Sequence, residues 1–378
     1  MKKVDFVFFD AGGGHRSAAT ALKAVIEEQQ RPWQVRLVNL QEVLEPLDIF
    51  KKLTGIRMED VYNKLLKKGW TLGSEYLVPV MHAIIRAYHP AQRRMLTDFW
   101  RAAKPDMVVG VIPNFNRAIF QALQQVDPRI PMVTILTDFA DYPPHFWMER
   151  QDQYLICGTE KALQQAQAMG FPPEKTFLTS GMIVRPMFYC ALDHDRGSER
   201  ARLGLRPDLP TGVVLFGGQG SNVMVQIARK LIDCAKDFQL ILICGKNEKL
   251  ANRLRAMQGK NPMHVVGFTH EVPYYMHLSD FFIGKPGPGS ISEALAMNLP
   301  VVVERNAWTL PQERYNAEWV REKQVGIVLD SFQHIVRGMD ELLEPATFAR
   351  VRANALAIQN HAIHEIPDIL ESILQKHS

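Results

Sequence analysis

Short runs of consecutive apolar residues alternate with longer amphipathic stretches along the chain. Runs at 4–10 (VDFVFFD), 34–40 (QVRLVNL), 106–112 (DMVVGVI), 131–137 (PMVTILT) and 154–158 (YLICG) have the length and β-branched content of buried strands. Between the first two, residues 17–29 carry apolar positions at helical spacing. Strand, helix and strand in this rhythm predict βαβ units around a parallel sheet. The rhythm stops in a charged, proline-bearing stretch and restarts with GVVLFGG at 212–218, LILICG at 240–245, HVVGF at 264–268, FFIGK at 281–285 and PVVVE at 300–304. The pattern therefore predicts two α/β units. The first spans 1–192, with 51–104 as an amphipathic insertion; 193–210 is a linker, with a short helix at 196–203 as the alternative. The second spans 211–355, and a C-terminal helix over 356–378 returns towards the first.

Composition agrees with two ordinary cores. The chain has 378 residues, 47% hydrophobic and 22% charged, which excludes a disordered or fibrous protein. Cys157, Cys190, Cys234 and Cys244 are scattered without metal-ligand spacing, as expected in a reducing compartment. The N-terminal apolar run is too short for a signal-peptide core, and no run reaches the roughly eighteen residues needed to cross a bilayer. Any membrane contact is therefore expected to be peripheral. The net charge is +4, yet residues 51–104 alone hold eleven basic against four acidic residues, interleaved with Trp70, Tyr62, Tyr76 and many aliphatics. Such a segment suits an anionic surface, while a solvated basic face on packed helices is the plainer alternative.

Three motifs carry chemistry. Asp10–His15 (DAGGGH) follows a strand and precedes a helix. Gly12, Gly13 and Gly14 let the backbone turn tightly against a ligand, and His15 is placed to take a proton from a hydroxyl or merely to start the helix. Phe216–Ser221 (FGGQGS) repeats that arrangement at the corresponding place in the second unit. Gly267–Glu304 is the most specific. It contains a Gly/Pro-rich turn, Gly287-Pro288-Gly289, and then a helix expected to start near Ser290 with Glu293 in its first turn. Glycines there admit a pyrophosphate and the carboxylate suits two ribose hydroxyls; the plainer reading makes Ser290 and Glu293 a capping box. Asp138 and Asp141 in TDFAD do not form a D-x-D metal motif, so no metal and no cofactor is expected.

The GPGSISEAL…LPVVVE block followed by PQERYNAEWV resembles the donor-binding signature of family 28 glycosyltransferases. GGGHRSAA at 12–19, His89-Pro90 and Thr137-Asp138 are closer to the monogalactosyldiacylglycerol synthases than to the peptidoglycan N-acetylglucosaminyltransferase of that family. The resemblance spans most of the chain. It implies a GT-B fold, two facing Rossmann-like domains with a nucleotide sugar between them, and an inverting hexosyltransferase that uses a UDP-sugar. Carried over, His15 and Asp138 are the catalytic pair, and Gly12, Gly13, Gly14, His89 and Pro90 form the acceptor side. Gly217, Gly218, Gly220, Gly287, Gly289 and Ser290 lie along the diphosphate, and Phe268 lies by the base. Glu293 holds the ribose, while Gln312, Glu313 and Asn316 hold the transferred sugar. Pro286 and the loop 306–310 depart from the galactolipid pattern and leave galactose and glucose both open. The implied acceptor is diacylglycerol or another lipid. The implied location is the cytoplasmic side of the cell membrane, held to anionic lipid without a spanning segment. Transfer to a polyprenyl-linked acceptor, and a UDP-sugar epimerase or sensor on the same frame, are the alternatives. Nucleic-acid binding ranks last, because no stacking or helix-turn-helix signature accompanies the basic segment.

Overall fold

The computed structural model describes residues 1–10, 13–47 and 74–377. In the first unit the strands are β1 (Lys2–Phe8), β2 (Trp33–Asn39), β3 (Met107–Gly110), β4 (Met132–Ile135), β5 (Tyr154–Cys157) and β6 (Thr176–Leu178). They form one parallel sheet in the order β2-β1-β3-β4-β5-β6. Every residue of β3, β4 and β5 is buried, as strands covered by helices on both faces must be. The helices are α1 (Gly14–Glu28), α2 (Leu40–Val43), α3 (Ser74–Ala103), α4 (Asn116–Val126) and α5 (Glu160–Ala168). In α1 the stripe Ala18, Ala19, Ala21, Leu22, Val25 and Ile26 faces the sheet. The second half of the 51–104 insertion is the continuous 30-residue helix α3. Its first half, up to Gly73, lies outside the described residues, as do Ala11 and Gly12.

The stretch read as a linker is built onto the second unit. Helix α6 (Arg196–Arg202) starts at Asp195, whose carboxylate accepts from the Ser198 amide at 2.8 Å. Arg200 is buried and donates to the carbonyls of Leu278 (2.9 Å), Pro207 (3.1 Å) and Leu209 (3.3 Å). It also shares Asp280 with Arg196, at 2.7 and 2.8 Å. A buried guanidinium with this many acceptors fixes the segment in place, which charge-rich composition alone could not reveal.

Then follow β7 (Thr211–Leu215), α7 (Val223–Leu231), β8 (Gln239–Ile243), α8 (Glu248–Arg255), β9 (Met263–Val266), α9 (Val272–His277), β10 (Phe281–Gly284), α10 (Pro288–Ala296), β11 (Val301–Glu304), α11 (Arg314–Lys323), β12 (Gly326–Leu329), α12 (Ile335–Leu342) and α13 (Pro345–Ala357). The second parallel sheet has the order β12-β11-β10-β7-β8-β9. Both sheets reverse strand order once, between β1 and β3 and between β7 and β10. Crevices at the carboxyl ends of the strands open at such switch points.

The chain crosses between the units twice. The outgoing crossing follows β6; the return lies between α13 and the last helix, α14 (Ala362–Lys376). The two are stitched together: Asn360 Nδ2 donates to the Met182 carbonyl (2.9 Å), the His361 amide to Ser180 Oγ (2.7 Å), and the Ser180 amide to Glu365 Oε2 (2.8 Å). Helix α14 then buries Ala362, Ile363, Ile366, Leu370, Ile373 and Leu374 in the first unit's core with Leu22, Val25 and Ile26 of α1. Each fully buried Leu or Ile there contributes about 1.5–3 kcal/mol. Between the units, Phe139 meets Trp319 edge-on at 4.9 Å. No helix among the described residues is long and apolar enough to cross a membrane.

Candidate functional site

At the first crevice, Gly13 has φ +80° and caps α1 without a side chain, and neither Gly13 nor Gly14 has an atom within 4 Å of where a Cβ would stand. The turn thus exposes bare backbone at a helix N-terminus. His15 follows in the first turn of α1. Its Nδ1 lies 3.2 Å from Thr137 Oγ1, and its ring packs 5.9 Å from that of Trp147. Burial pulls its pKa down to about 4, with only partial opposition from the Val111 carbonyl, so the imidazole is neutral at neutral pH. It is neither a cap nor a freely solvated side chain.

Asp138 stands beyond the end of β4 on the same crevice. Trp147 Nε1 donates to its Oδ2 at 2.8 Å, and the residue is buried. Burial raises its pKa to about 7; the Trp147 indole holds it back, Glu313 adds to the rise, and Lys285 opposes it. Asp141 is structural. Its carboxylate accepts from the amides of Trp147 (2.6 Å) and His145 (2.9 Å) and so shapes the loop that delivers Trp147. His89 sits within α3 and is held by Gln121 Oε1 of α4 at 2.8 Å, with Pro90 beside it on that helix. The structure thus ties His89 into the α3–α4 pair. Gly12 lies outside the described residues.

The second crevice faces it. Gly217 (φ +74°) and Gly218 follow β7 with no atom within 4 Å of a Cβ position, whereas a Cβ at Gly220 would stand 2.6 Å from the Cys244 carbonyl oxygen. Helix α10 begins at Pro288, with Gly287 as its N-cap. Ser290 is therefore inside the helix and Glu293 is in the second turn, which rules out the capping box. Proline at the first helical position sets this earlier start. Gly289 has open space around it, and the α10 N-terminus leaves its first amides available to an anion.

Glu293 is mostly buried and tied to the segment that crosses between the units: Arg185 Nε and Nη2 both lie 2.9 Å from its Oε1. Burial raises the Glu293 pKa and Arg185 counters it. Glu313 is buried in the Pro311–Glu313 turn, with Gln312 beside it, and accepts from Lys285 Nζ at 2.9 Å. Asn316 has its place fixed by the Gly/Pro turn. It is fully buried in α11, and its amide donates to the Pro286 carbonyl at 2.8 Å, bracing the glycine-rich turn from below. Phe268 is 52% exposed after β9. Among the described residues no group of three or more His, Cys, Asp or Glu side chains is disposed to hold a metal ion.

Sequence reading missed Trp147, Arg185 and Lys285. Faint signals existed: a tryptophan shortly after an acidic pair, an arginine before a proline, and a lysine opening the Gly/Pro turn. The arrangement brings a neutral imidazole and a carboxylate titrating near neutrality to face an anion-receiving helix start and two anchored carboxylates. That set suits proton removal from a hydroxyl opposite a diphosphate leaving group.

Comparison with known proteins gives matches in both halves. Residues 15–184 match the monogalactosyldiacylglycerol (MGDG) synthase domain, and residues 212–371 match the glycosyltransferase family 28 C-terminal domain. The chloroplastic monogalactosyldiacylglycerol synthase of Spinacia oleracea is 28% identical over 389 residues, covering 99% of this chain and 71% of that protein. Monogalactosyldiacylglycerol synthase 1 of Arabidopsis thaliana is 27% identical over 360 residues, covering 92% and 66%. Among solved structures, Acinetobacter baumannii MurG has a TM-score of 0.64 at 15% identity, covering 98% of this chain and 100% of that one. S. aureus MnaA in complex with UDP has a TM-score of 0.66 at 15% identity, covering 99% and 97%. These neighbours share the two-domain α/β frame, the GT-B arrangement.

Proposed function

We propose that this chain, a glycosyltransferase that joins a monogalactosyldiacylglycerol synthase domain to a family 28 C-terminal domain, transfers a hexose from a UDP-sugar to the free hydroxyl of 1,2-diacylglycerol with inversion. One observation supports the reading: Phe139, next to Asp138 in the first unit, packs edge-on at 4.9 Å against Trp319 of α11 in the second, so the assigned proton acceptor stands where the two units meet.

In this mechanism the acceptor hydroxyl attacks the anomeric carbon from the face opposite the diphosphate. Its proton passes to His15, or to Asp138 with which His15 shares Trp147, and the bond from the anomeric carbon to the diphosphate oxygen breaks. The α10 N-terminus and the Gly217–Gly220 turn take the charge of the leaving UDP, so the chemistry calls for no metal. Gln312 and Glu313 hold the sugar, Glu293 the ribose and Phe268 the base, while Gly13 and Gly14 border the acceptor. With a lipid acceptor, the enzyme works as a peripheral protein on the inner face of the cell membrane. The basic stretch 51–104 supplies attraction to anionic lipid; its residues Lys64, Lys67 and Lys68 lie outside the described part of the chain.

The test is mass spectrometry of lipids after the purified protein is incubated with a panel of UDP-sugars and diacylglycerol in anionic vesicles. A new monohexosyl lipid is the expected product. Epimerised nucleotide sugar with unchanged lipid would overturn the transferase reading, and product only with a polyprenyl acceptor would replace the acceptor.

Glu293→Ala should weaken UDP affinity by about 10- to 100-fold, because a charged acceptor of two hydroxyls contributes roughly 1.5–3 kcal/mol. Arg185 keeps access to water at 36% side-chain exposure, so the fold should survive the loss of its partner. Titration calorimetry checks both points, and an unchanged UDP affinity removes Glu293 from the donor site.

A further inference from the structure

We infer that Phe139 is a positioning residue for the transfer reaction: seated in the core of the second unit against Trp319, it fixes where its chain neighbour Asp138 stands between the units. This rests on the reading of Asp138 as the proton acceptor.

Residues 136–141, which follow β4, pass from one core to the other. Leu136 is buried in the first unit, in the apolar cluster of Trp147 and Met148. Thr137 Oγ1 lies 3.2 Å from His15 Nδ1, and Asp138 accepts from Trp147 Nε1 at 2.8 Å. Phe139 belongs instead to the cluster of the second unit, with Val184 and Phe188 of the outgoing crossing and Trp319 of α11, whose ring it meets edge-on at 4.9 Å. Among the described residues, no other buried member of that cluster precedes Met182 in the chain. The Phe139 ring is 2% exposed in this seat, and Asp138, at the boundary between the two cores, is 7% exposed.

The rest of the loop is fastened to the first unit. The Thr159 hydroxyl at the start of α5 donates to the Phe139 carbonyl, and Gln165 of α5 exchanges hydrogen bonds with the main chain of Asp141 at 2.9 and 3.0 Å. These bonds make the loop one piece with the first unit. The seat of Phe139 therefore sets the distance from Asp138 to the residues of the second unit, and not merely the shape of the loop. Close-packed interfaces hold such a ring in a discrete seat and do not yield continuously, so losing it lets the units shift against each other. A displacement of about 1 Å between reacting groups is enough to cost about a hundredfold in rate.

The experiment measures turnover against pH, UDP affinity by calorimetry and urea unfolding for Phe139→Ala, Phe139→Leu, Trp319→Leu and the double variant Phe139→Ala/Trp319→Leu, with Asp138→Asn alongside. Phe139→Ala should lower turnover by about a hundredfold and keep UDP affinity within about threefold of the parent. Its inflection near pH 7 should move to lower pH, because burial is what raises the Asp138 carboxyl and an unseated interface admits water. The charged groups that act on Asp138, namely Asp141, Lys285 and Glu313, are unaltered in the Phe139 and Trp319 variants. Phe139→Leu keeps an apolar side chain in the seat and should recover most of the turnover. Trp319→Leu, although it lies in the second unit, should lower turnover and move the inflection in the same direction, and the double variant should fall little below Phe139→Ala alone. Should Phe139→Ala not fold, Trp319→Leu carries the same comparison. Loss of stability with the inflection unmoved in both units' variants would make Phe139 a filler of apolar space and overturn the inference, as would losses of turnover that multiply in the double variant. If Asp138→Asn keeps turnover within about tenfold of the parent, the proton-acceptor reading fails and this inference with it. If Asp138→Asn loses turnover and inflection while Phe139→Ala keeps both, only the present inference fails.

Discussion

Asp138→Asn is expected to lower turnover by about two to four orders of magnitude while leaving UDP affinity within a few-fold of the parent, because a proton acceptor acts in the transition state and not in nucleotide binding. Asparagine keeps the shape of the side chain and an oxygen for the Trp147 indole, so the loop around it should stand. The parent's rate should rise with pH through an inflection near 7, where burial has placed the carboxyl, and that inflection should vanish in the variant. Stability should move the other way. The folded pKa of about 7 lies above the ordinary 3.8, so the native state holds its proton after the unfolded chain has released it. The contribution of this group to stability is therefore fully present below pH 4 and declines between about 4 and 7. In urea unfolding, Asp138→Asn should gain on the parent progressively over that window and stay ahead at pH 8. A variant with turnover within tenfold of the parent and the same inflection would show that the proton goes elsewhere.

His15→Ala is expected to cost a comparable factor, about two to four orders of magnitude in turnover at saturating substrates, again with UDP affinity nearly intact. The two variants separate in their pH profiles. Burial holds His15 near 4, so its ionisation leaves no inflection between pH 5 and 9, and His15→Ala should retain the inflection near 7 that Asp138→Asn loses. A loss smaller than tenfold would reduce His15 to a packing partner of Thr137 and Trp147.

Much of the fold was legible because it is local. The glycine turns, the helix stripe of α1 and the buried strand runs each declare themselves within a dozen residues, and alternation implies parallel sheets. Boundaries were less legible. Helix α10 starts at Pro288 and not Ser290. The site was legible only where its residues sit in motifs. Arg185 reaches Glu293 across 108 positions, and no local pattern encodes that pairing. Asn316 shows the same. Its place after PQE was legible, whereas the hydrogen bond from its amide to the Pro286 carbonyl, thirty positions away, was not. Arg200 likewise ties the stretch expected as a linker to the second unit, by donating to the Leu278 carbonyl and to Asp280 some eighty positions away.

The double crossing has a consequence for the order in which the protein is made. The first unit is not a continuous stretch of chain: its core is closed by residues 362–374, which the ribosome adds only after the entire second unit. The growing polypeptide thus carries an open apolar surface on α1 and its sheet throughout synthesis of the second unit, and it is covered only when α14 emerges. A nascent chain halted at Ala357 should bind apolar dyes and chaperones at that surface, and adding back a peptide of residues 358–377 should suppress both. Release of the last helix is then the event that completes the first domain.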